Sequence, residues 1–158
     1  TGAPITTHTD VRFGDDQQAF LTKHGVPAHR IVIGHSCGSS DPAYHRRILE
    51  GGSYLGFDRF GLDVIHPDAE RVASLLRVLE AGFERQVVVS HDSVWCWRGA
   101  PIPSPEIQQQ MEKVWNPTHF HDRIVPRLLE GGATREQIDR LLVENPRRFF
   151  AGEAPAAA

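Results

Sequence analysis

Four short apolar runs in this sequence each end in a side chain that can bind a metal ion or carry a proton. The clearest run is Val87–Val89, which is followed by serine, histidine and Asp92. Three earlier runs end in the same way, at His8, His35 and Asp58. Apolar, β-branched runs bounded by polar residues predict short buried strands. We therefore expect four strands whose ends carry chemistry. The alternative left open is that four unrelated surface residues each close a strand.

Helical segments separate these strands. Residues 15–24 precede Gly25, residues 42–50 follow the N-cap candidate Asp41, and a third segment runs from about residue 68 to Gly82. Strands that alternate with helices predict a parallel sheet with right-handed crossovers. In such folds the functional side chains lie at the carboxyl ends of the strands. The predicted architecture therefore brings the four strand ends to one rim.

The segment after the fourth strand has a different character. Residues 93–117 contain all three tryptophans, Trp95, Trp97 and Trp115. Connections of this length in compact domains are usually functional. We interpret the segment as a lid or pocket wall, and a plain insertion that packs its tryptophans on a neighbouring helix is the alternative.

Two helices are predicted downstream of that segment. The first covers residues 118–130, and the second begins at a capping box over 134–137. Asn145 and Pro146 are expected to stop the second helix, because proline cannot continue a helix interior.

The histidines away from the strand ends are interpreted as surface residues. His119 and His121 have the His-x-His spacing of some metal sites, but residues two apart on a helix point about 200° apart. They are therefore expected to be surface or lid residues. The others with this interpretation are His24, His29, His45 and His66.

Composition limits the classes of function. The chain has 158 residues, 40% hydrophobic residues and a net charge of -3, which are typical of one soluble domain with a real core. No basic stripe predicts nucleic-acid binding, and no apolar run approaches the ~20 residues of a membrane span. Two cysteines and no visible cationic leader favour a reducing, cytoplasmic setting.

His8, His35 and Asp92 would bring two imidazoles and a carboxylate together from three strands. This set suits Zn²⁺, Mn²⁺, Fe²⁺ or Co²⁺ with coordination positions left for water. A divalent metal site at the rim is therefore predicted.

Several motifs carry a resemblance to a known family, and they occur in that family's order along almost the whole chain. They are residues 6–9 (TTHT), 34–36 (GHS), 56–63 (GFDRFGLD), 90–92 (SHD) and 144–150 (ENPRRFF). Together they resemble the phosphotriesterase family of the amidohydrolase superfamily. The run 58–63 is most similar to the branch called phosphotriesterase-like lactonases.

The resemblance implies an α/β fold, the C-terminal half of a (β/α)8 TIM barrel, with strands five to eight and a long loop after the last strand. It implies that His8 and His35 bind one metal ion and that Asp92 binds the other and takes a proton from the bridging hydroxide. Two divalent ions, zinc by expectation, would belong to each complete barrel. Arg59, Trp95 and Trp97 would contact the substrate.

The sequence also departs from the family pattern. The family takes further metal ligands from a His-x-His on strand one and a carboxylated lysine on strand four, and neither occurs here. The only lysines, Lys23 and Lys113, lie near a helix end and in the long loop. Gly38 stands where many phosphotriesterases have an acidic residue, and Arg59 stands where they have histidine. These departures argue against efficient phosphotriester cleavage.

The function expected from the resemblance is metal-dependent hydrolysis of lactones or other carboxylic or phosphoric esters, with the missing barrel half required. That half would come from the same or another chain, and a homo-oligomer is expected because open sheet edges promote association. The alternative is a non-catalytic structural or binding fragment. Residues 1–150 are expected to form the half barrel and residues 151–158 a frayed tail.

Overall fold

Four parallel strands form a single sheet in chain order. A computed structural model describes residues 2–10, 12–93 and 104–155. The strands are β1 (Ile5–Thr6), β2 (Ile31–Ile33), β3 (Tyr54–Phe57) and β4 (Val87–Val89). Each lies within the run predicted from apolar residues, and parallel pairing in sequence order is the arrangement that βα units produce.

The helices lie between and after these strands. They are α1 (Gly14–Lys23), α2 (Pro42–Glu50), α3 (Asp68–Glu80), α4 (Pro105–Val114), α5 (Val125–Glu130), α6 (Arg135–Asp139) and α7 (Asn145–Ala151). Across the ranges described, none of them is both long enough and apolar enough to cross a membrane. The half-barrel fold predicted from the sequence is confirmed.

Local sequence explains where two of the helices begin. The Asp41 side chain accepts from the backbone N–H of Ala43 at 2.9 Å, so α2 begins after an aspartate N-cap with proline at its first position. At α6 the Thr134 side chain and the Gln137 side chain cap each other's backbone N–H, which confirms the predicted capping box.

The long loop predicted after β4 is partly helical in the structure. Helix α4 occupies part of it, and Trp115 follows that helix as a buried residue. Trp95 and Trp97 lie outside the described residues.

The prediction that Asn145 and Pro146 stop a helix is wrong. The chain stays helical because a π-helical turn, Arg140–Glu144, precedes Pro146, and α7 continues to Ala151. Proline clashes with the carbonyl of the fourth residue before it, and a wider turn relieves that clash. A second π-helical turn, Phe120–Ile124, precedes Pro126 in the same way.

The two faces of the sheet are covered differently. Alternate strand residues pack on the helices in the main core, among them Ile31, Ile33 and Leu55. Val32 and Tyr54 face the other side, where Phe149 of α7 packs with its ring 5.5 Å from that of Tyr54. Helix α7 therefore covers part of the second face of the sheet.

Candidate active site

The carboxyl ends of the strands bring the predicted site residues together. His8 follows β1, and His35 follows β2 after one glycine. Their rings lie edge to face, with centroids 4.4 Å apart. Arg59 follows β3, and its Nε donates to Asp92 Oδ2 at 3.2 Å. Nη2 of the same guanidinium lies 3.3 Å from His8 Nε2. The rim that the strand pattern predicts is therefore present as one contact network.

Two rim residues adopt an unusual backbone conformation. His35 has φ 59° and Asp92 has φ 53°, both in the left-handed region, although neither is glycine. Such residues cost free energy and are concentrated at functional sites, where surrounding contacts hold them. The chain therefore turns sharply after β2 and after β4 to aim these two side chains.

Asp58 holds His35 by its backbone and by its ring. Its carboxylate oxygens accept from the His35 backbone N–H at 3.0 and 3.1 Å, and Oδ1 accepts from His35 Nδ1 at 3.0 Å. A carboxylate only accepts, so Nδ1 must carry the hydrogen. The lone pair of a neutral His35 is then on Nε2, the tautomer that a metal-binding histidine with a carboxylate partner adopts.

Glycine makes room for this carboxylate. A Cβ on Gly56 would lie 2.8 Å from Asp58 Oδ2 and 3.0 Å from Gly34 Cα. Only a residue without a side chain allows Asp58 to lie over the sheet at this point.

Cys37 also lies beside Asp58. Its thiol sulfur is 3.9 Å from Asp58 Oδ1, and the residue is fully buried. Burial, with the charge of Asp58 as a second cause, raises the pKa of the Cys37 thiol to about 11. The residue therefore stays a protonated, buried thiol, which favours its interpretation as a core filler over a soft metal ligand.

The guanidinium of Arg59 occupies the space between His8 and Asp92. Its side chain is 13% exposed. Within the described residues no set of three or more His, Cys, Asp or Glu side chains is arranged to hold a metal ion. The predicted ligands His8, His35 and Asp92 lie at the same rim, but the Arg59 side chain lies between His8 and Asp92.

The segment after α4 is fixed to the same rim. Trp115 Nε1 donates to the His91 carbonyl at 2.6 Å, next to Asp92. A Cβ on Gly61, which has φ +92°, would lie 2.1 Å from the Val114 carbonyl. This close approach ties the end of the long segment to the loop that follows Arg59. The His91 ring itself contacts Ser93, so it is turned to its own loop.

A buried ionic network links that loop to the next segment. Asp68 accepts from Gly61 N, from Arg71 at 3.0 Å and from His119 Nε2 at 2.7 Å. Arg71 also donates to the Leu62 carbonyl at 3.1 Å. Asp68, Arg71 and His119 are all buried. The network holds the loop after β3, which carries Arg59, against the start of the helix that follows the long segment.

Comparison with known proteins identifies the family of this chain. The sequence model of the Phosphotriesterase family matches residues 1–150. This chain belongs to the phosphotriesterase family. The "Phosphotriesterase homology protein" of Mycobacterium tuberculosis (strain H37Rv) is 43% identical over 152 residues, which cover 95% of this chain and 46% of that protein.

Solved phosphotriesterase-family structures have the same fold. The organophosphorus hydrolase of Deinococcus radiodurans superposes with a TM-score of 0.88 at 44% identity, covering 95% of this chain and 46% of that one. A mutant of the PTE-like lactonase of the same organism gives a TM-score of 0.87 at 43% identity, covering 95% and 48%. The chain therefore spans about half the length of the phosphotriesterase-family proteins it matches, and its resemblance to the lactonase branch is confirmed.

Sequence reasoning missed part of this phosphotriesterase-family rim. Asp58 was expected only at a strand end, although its place directly after β3 and between histidine-bearing strands was a usable signal. His119 was predicted to be a surface or lid residue, which is wrong because it is buried against Asp68. His45 was also predicted at the surface, yet it is buried and its Nε2 donates to the Ser36 carbonyl at 3.0 Å. No local sequence pattern indicates that His119 contacts Asp68 or that His45 contacts Ser36.

Proposed function

We propose that this chain is one half of a metal-dependent hydrolase that cleaves lactones or other carboxylic or phosphoric esters. The observation that carries the proposal is the convergence of His8, His35, Asp92 and Arg59 at one rim, with Asp58 orienting His35. Relatives described as an organophosphorus hydrolase and a PTE-like lactonase support the reaction class.

The donor set fits a divalent cation. Imidazole nitrogen and carboxylate oxygen are the ligands that zinc and related ions take. The Arg59 guanidinium is a cation held by His8 Nε2 and Asp92 Oδ2, two atoms that are also metal-ligand types. The site therefore already accommodates a positive charge. His8, His35 and Asp92 would hold the metal, zinc by expectation, with two ions per complete barrel. A bound ion of this kind acidifies water and polarises an ester oxygen.

Asp92 and Arg59 perform the remaining chemistry in this proposal. The Asp92 carboxylate is 41% exposed at the rim, so it is accessible to take a proton from the attacking water. The Arg59 guanidinium has donors only, which suits it to an ester or lactone oxygen. Trp95 and Trp97 would complete the substrate pocket.

A second barrel half completes the proposed enzyme. Each end strand of the described sheet has a single neighbour, β2 for β1 and β3 for β4, and so has an edge available for pairing. The missing half would lie in the same polypeptide or in a second chain, as a homo-oligomer. The cytoplasm is the proposed location.

Native mass spectrometry with added Zn²⁺ tests the assembly, and a lactone assay on the same sample tests the reaction. We expect a mass of at least twice 17.6 kDa with about two metal ions per barrel. Asp92→Asn should lower turnover at least ~100-fold, a usual loss for a proton-transfer residue. Asp15→Asn, which changes a carboxylate on α1, is the matched control. A metal-free 17.6 kDa species, or an active Asp92→Asn protein, would contradict the proposal.

A non-catalytic scaffold is the second candidate. It is favoured by the positions of the two lysines, since Lys23 ends α1 and Lys113 lies near the end of α4. Neither is at a strand end, where a bridging lysine would be needed. If the chain is a scaffold, native mass spectrometry should detect no bound metal ion that is lost when His8 or His35 is replaced.

A further inference from the structure

Arg59 is held by two atoms that a metal ion would also use. Its Nε donates to Asp92 Oδ2 at 3.2 Å, and its NH2 group lies 3.3 Å from His8 Nε2. A guanidinium has donors and no acceptor, so His8 Nε2 must be the acceptor in that contact. The lone pair of His8 and one oxygen of Asp92 are therefore both directed at Arg59.

These donor atoms cannot serve Arg59 and a metal ion at the same time. One lone pair on an imidazole nitrogen accepts one hydrogen or binds one ion. Two cations brought to the same donors would also repel each other, and the Arg59 side chain is only 13% exposed, which limits screening by water.

The ligands are held in place without Arg59. The His8 carbonyl accepts from Gln17 Nε2 at 2.9 Å, and the next residue, Thr9, is buried and donates to the Gly34 carbonyl at 2.8 Å. The residue before Asp92 is fixed by Trp115 at 2.6 Å. Removing the Arg59 side chain should therefore remove a competitor and leave the ligand framework in position.

We infer that Arg59 is a built-in competitor of the metal ions for His8 and Asp92, and that metal binding releases its guanidinium toward the substrate. This inference rests on the proposed function. The coupling is reciprocal, because whatever favours the contact of Arg59 with His8 and Asp92 must weaken metal binding by the same factor. Metal loading and the substrate contact of Arg59 are thereby linked in one step.

The test is a Co²⁺ titration of the 158-residue chain, followed by calorimetry and by the visible absorption of bound cobalt. Arg59→Met keeps the apolar stem and removes the charge, so Co²⁺ should bind at least ~10-fold tighter at low salt. Arg59→Lys keeps the charge and should remain close to the unmodified chain. Arg47→Met is the matched control, because Arg47 also donates through Nε to a carboxylate oxygen, Asp15 Oδ2, at 2.7 Å.

Each outcome separates the competition from the proposed metal site. If His8→Ala abolishes Co²⁺ binding but Arg59→Met binds no tighter than the unmodified chain, the competition is refuted and the metal site stands. If Co²⁺ binding is absent or unaffected by His8→Ala in both the Arg59 and the Arg59→Met backgrounds, the metal site itself is refuted. Binding that appears only after Arg59→Met would support both. Circular dichroism of each variant checks that it is folded.

Discussion

Replacing Asp68 with asparagine would measure what the buried network contributes to stability. The Asp68 side chain is 4% exposed and that of Arg71 is 0% exposed, so the pair is removed from water. Asparagine keeps the shape and one acceptor oxygen, but it leaves the Arg71 guanidinium buried without a counter-charge. Breaking a buried ion pair in this way costs about 3–5 kcal/mol. Because the amide oxygen can still accept from Gly61, we expect the lower end, about 3 kcal/mol.

Urea unfolding followed by circular dichroism is the assay. With a slope of about 2 kcal/mol/M, a loss of about 3 kcal/mol moves the midpoint down by about 1.5 M. Asp15→Asn is the control, because Asp15 and Arg47 are 2.7 Å apart but have side chains 29% and 53% exposed. Water screens that surface pair, so its loss should move the midpoint far less. Equal midpoints for Asp68→Asn and Asp15→Asn would refute the reasoning.

A double variant tests the cause of that loss. The Arg71 Nε atom has no hydrogen-bond partner among the described residues, so the guanidinium is already incompletely satisfied. Replacing Arg71 with methionine in the Asp68→Asn protein removes the uncompensated charge and should recover part of the stability, since apolar replacements of buried ion pairs are often neutral. If the double variant loses as much additional stability as Arg71→Met does alone, the loss comes from packing and not from the uncompensated charge.

Three further predictions concern other parts of the fold. Phe149→Ala should cost about 3–5 kcal/mol, because Phe149 is 4% exposed and packs on the second face of the sheet, the one that α7 covers. Phe150→Ala, at 73% exposed, should change the urea midpoint little. Burial lowers the pKa of His45 in the folded chain, so below pH 6.5 the unfolded chain binds more protons at this histidine than the folded chain does. The stability of the fold should therefore decrease as the pH drops below 6.5. In thermal melts the His45→Gln variant should show a smaller decrease. The Cys37 thiol, buried and with its pKa raised to about 11, should resist alkylation at pH 8 until urea unfolds the chain, as read by mass spectrometry of labelled peptides.

The strands and the rim could be predicted because their signals are local. A buried parallel strand such as Ile31–Ile33 is an apolar run, and the residue that follows it must lie at the sheet edge. Knowing that strands are parallel then places His8, His35 and Asp92 together without further information. The division of the chain at residue 150 stays a prediction.

The ionic network could not be predicted because its signals have commoner meanings. Asp68 lies in the first turn of α3, where an acidic residue is ordinarily explained by the helix dipole. Arg71 follows Asp68 by three residues, which is also the spacing of an ordinary ion pair on a helix surface. Only tertiary packing brings His119 to the same carboxylate, across 51 residues of chain. Burial, and not residue type, distinguishes this network from a solvent-exposed one.

The prediction that Pro146 ends a helix failed for a related reason. Pro126 and Pro146 each follow a π-helical turn that contains the fourth residue before the proline, the one whose carbonyl the ring would meet. Asn145 is buried there, and its side-chain amide donates to the Val87 carbonyl at 2.7 Å. The contact fixes the start of α7 against β4, so tertiary structure stabilises a helix that the local sequence would end.

The rim is organised by contacts made within this half of the barrel. His35 and Asp92 each hold a left-handed backbone that costs up to about 1–3 kcal/mol, and such conformations persist only where neighbours over-determine them. For His35 that neighbour is Asp58, which accepts from both its backbone and its ring. For Asp92 the preceding residue is held, because the His91 carbonyl accepts from Trp115 Nε1 at 2.6 Å. Both supports come from this chain, so the described residues order the rim by themselves.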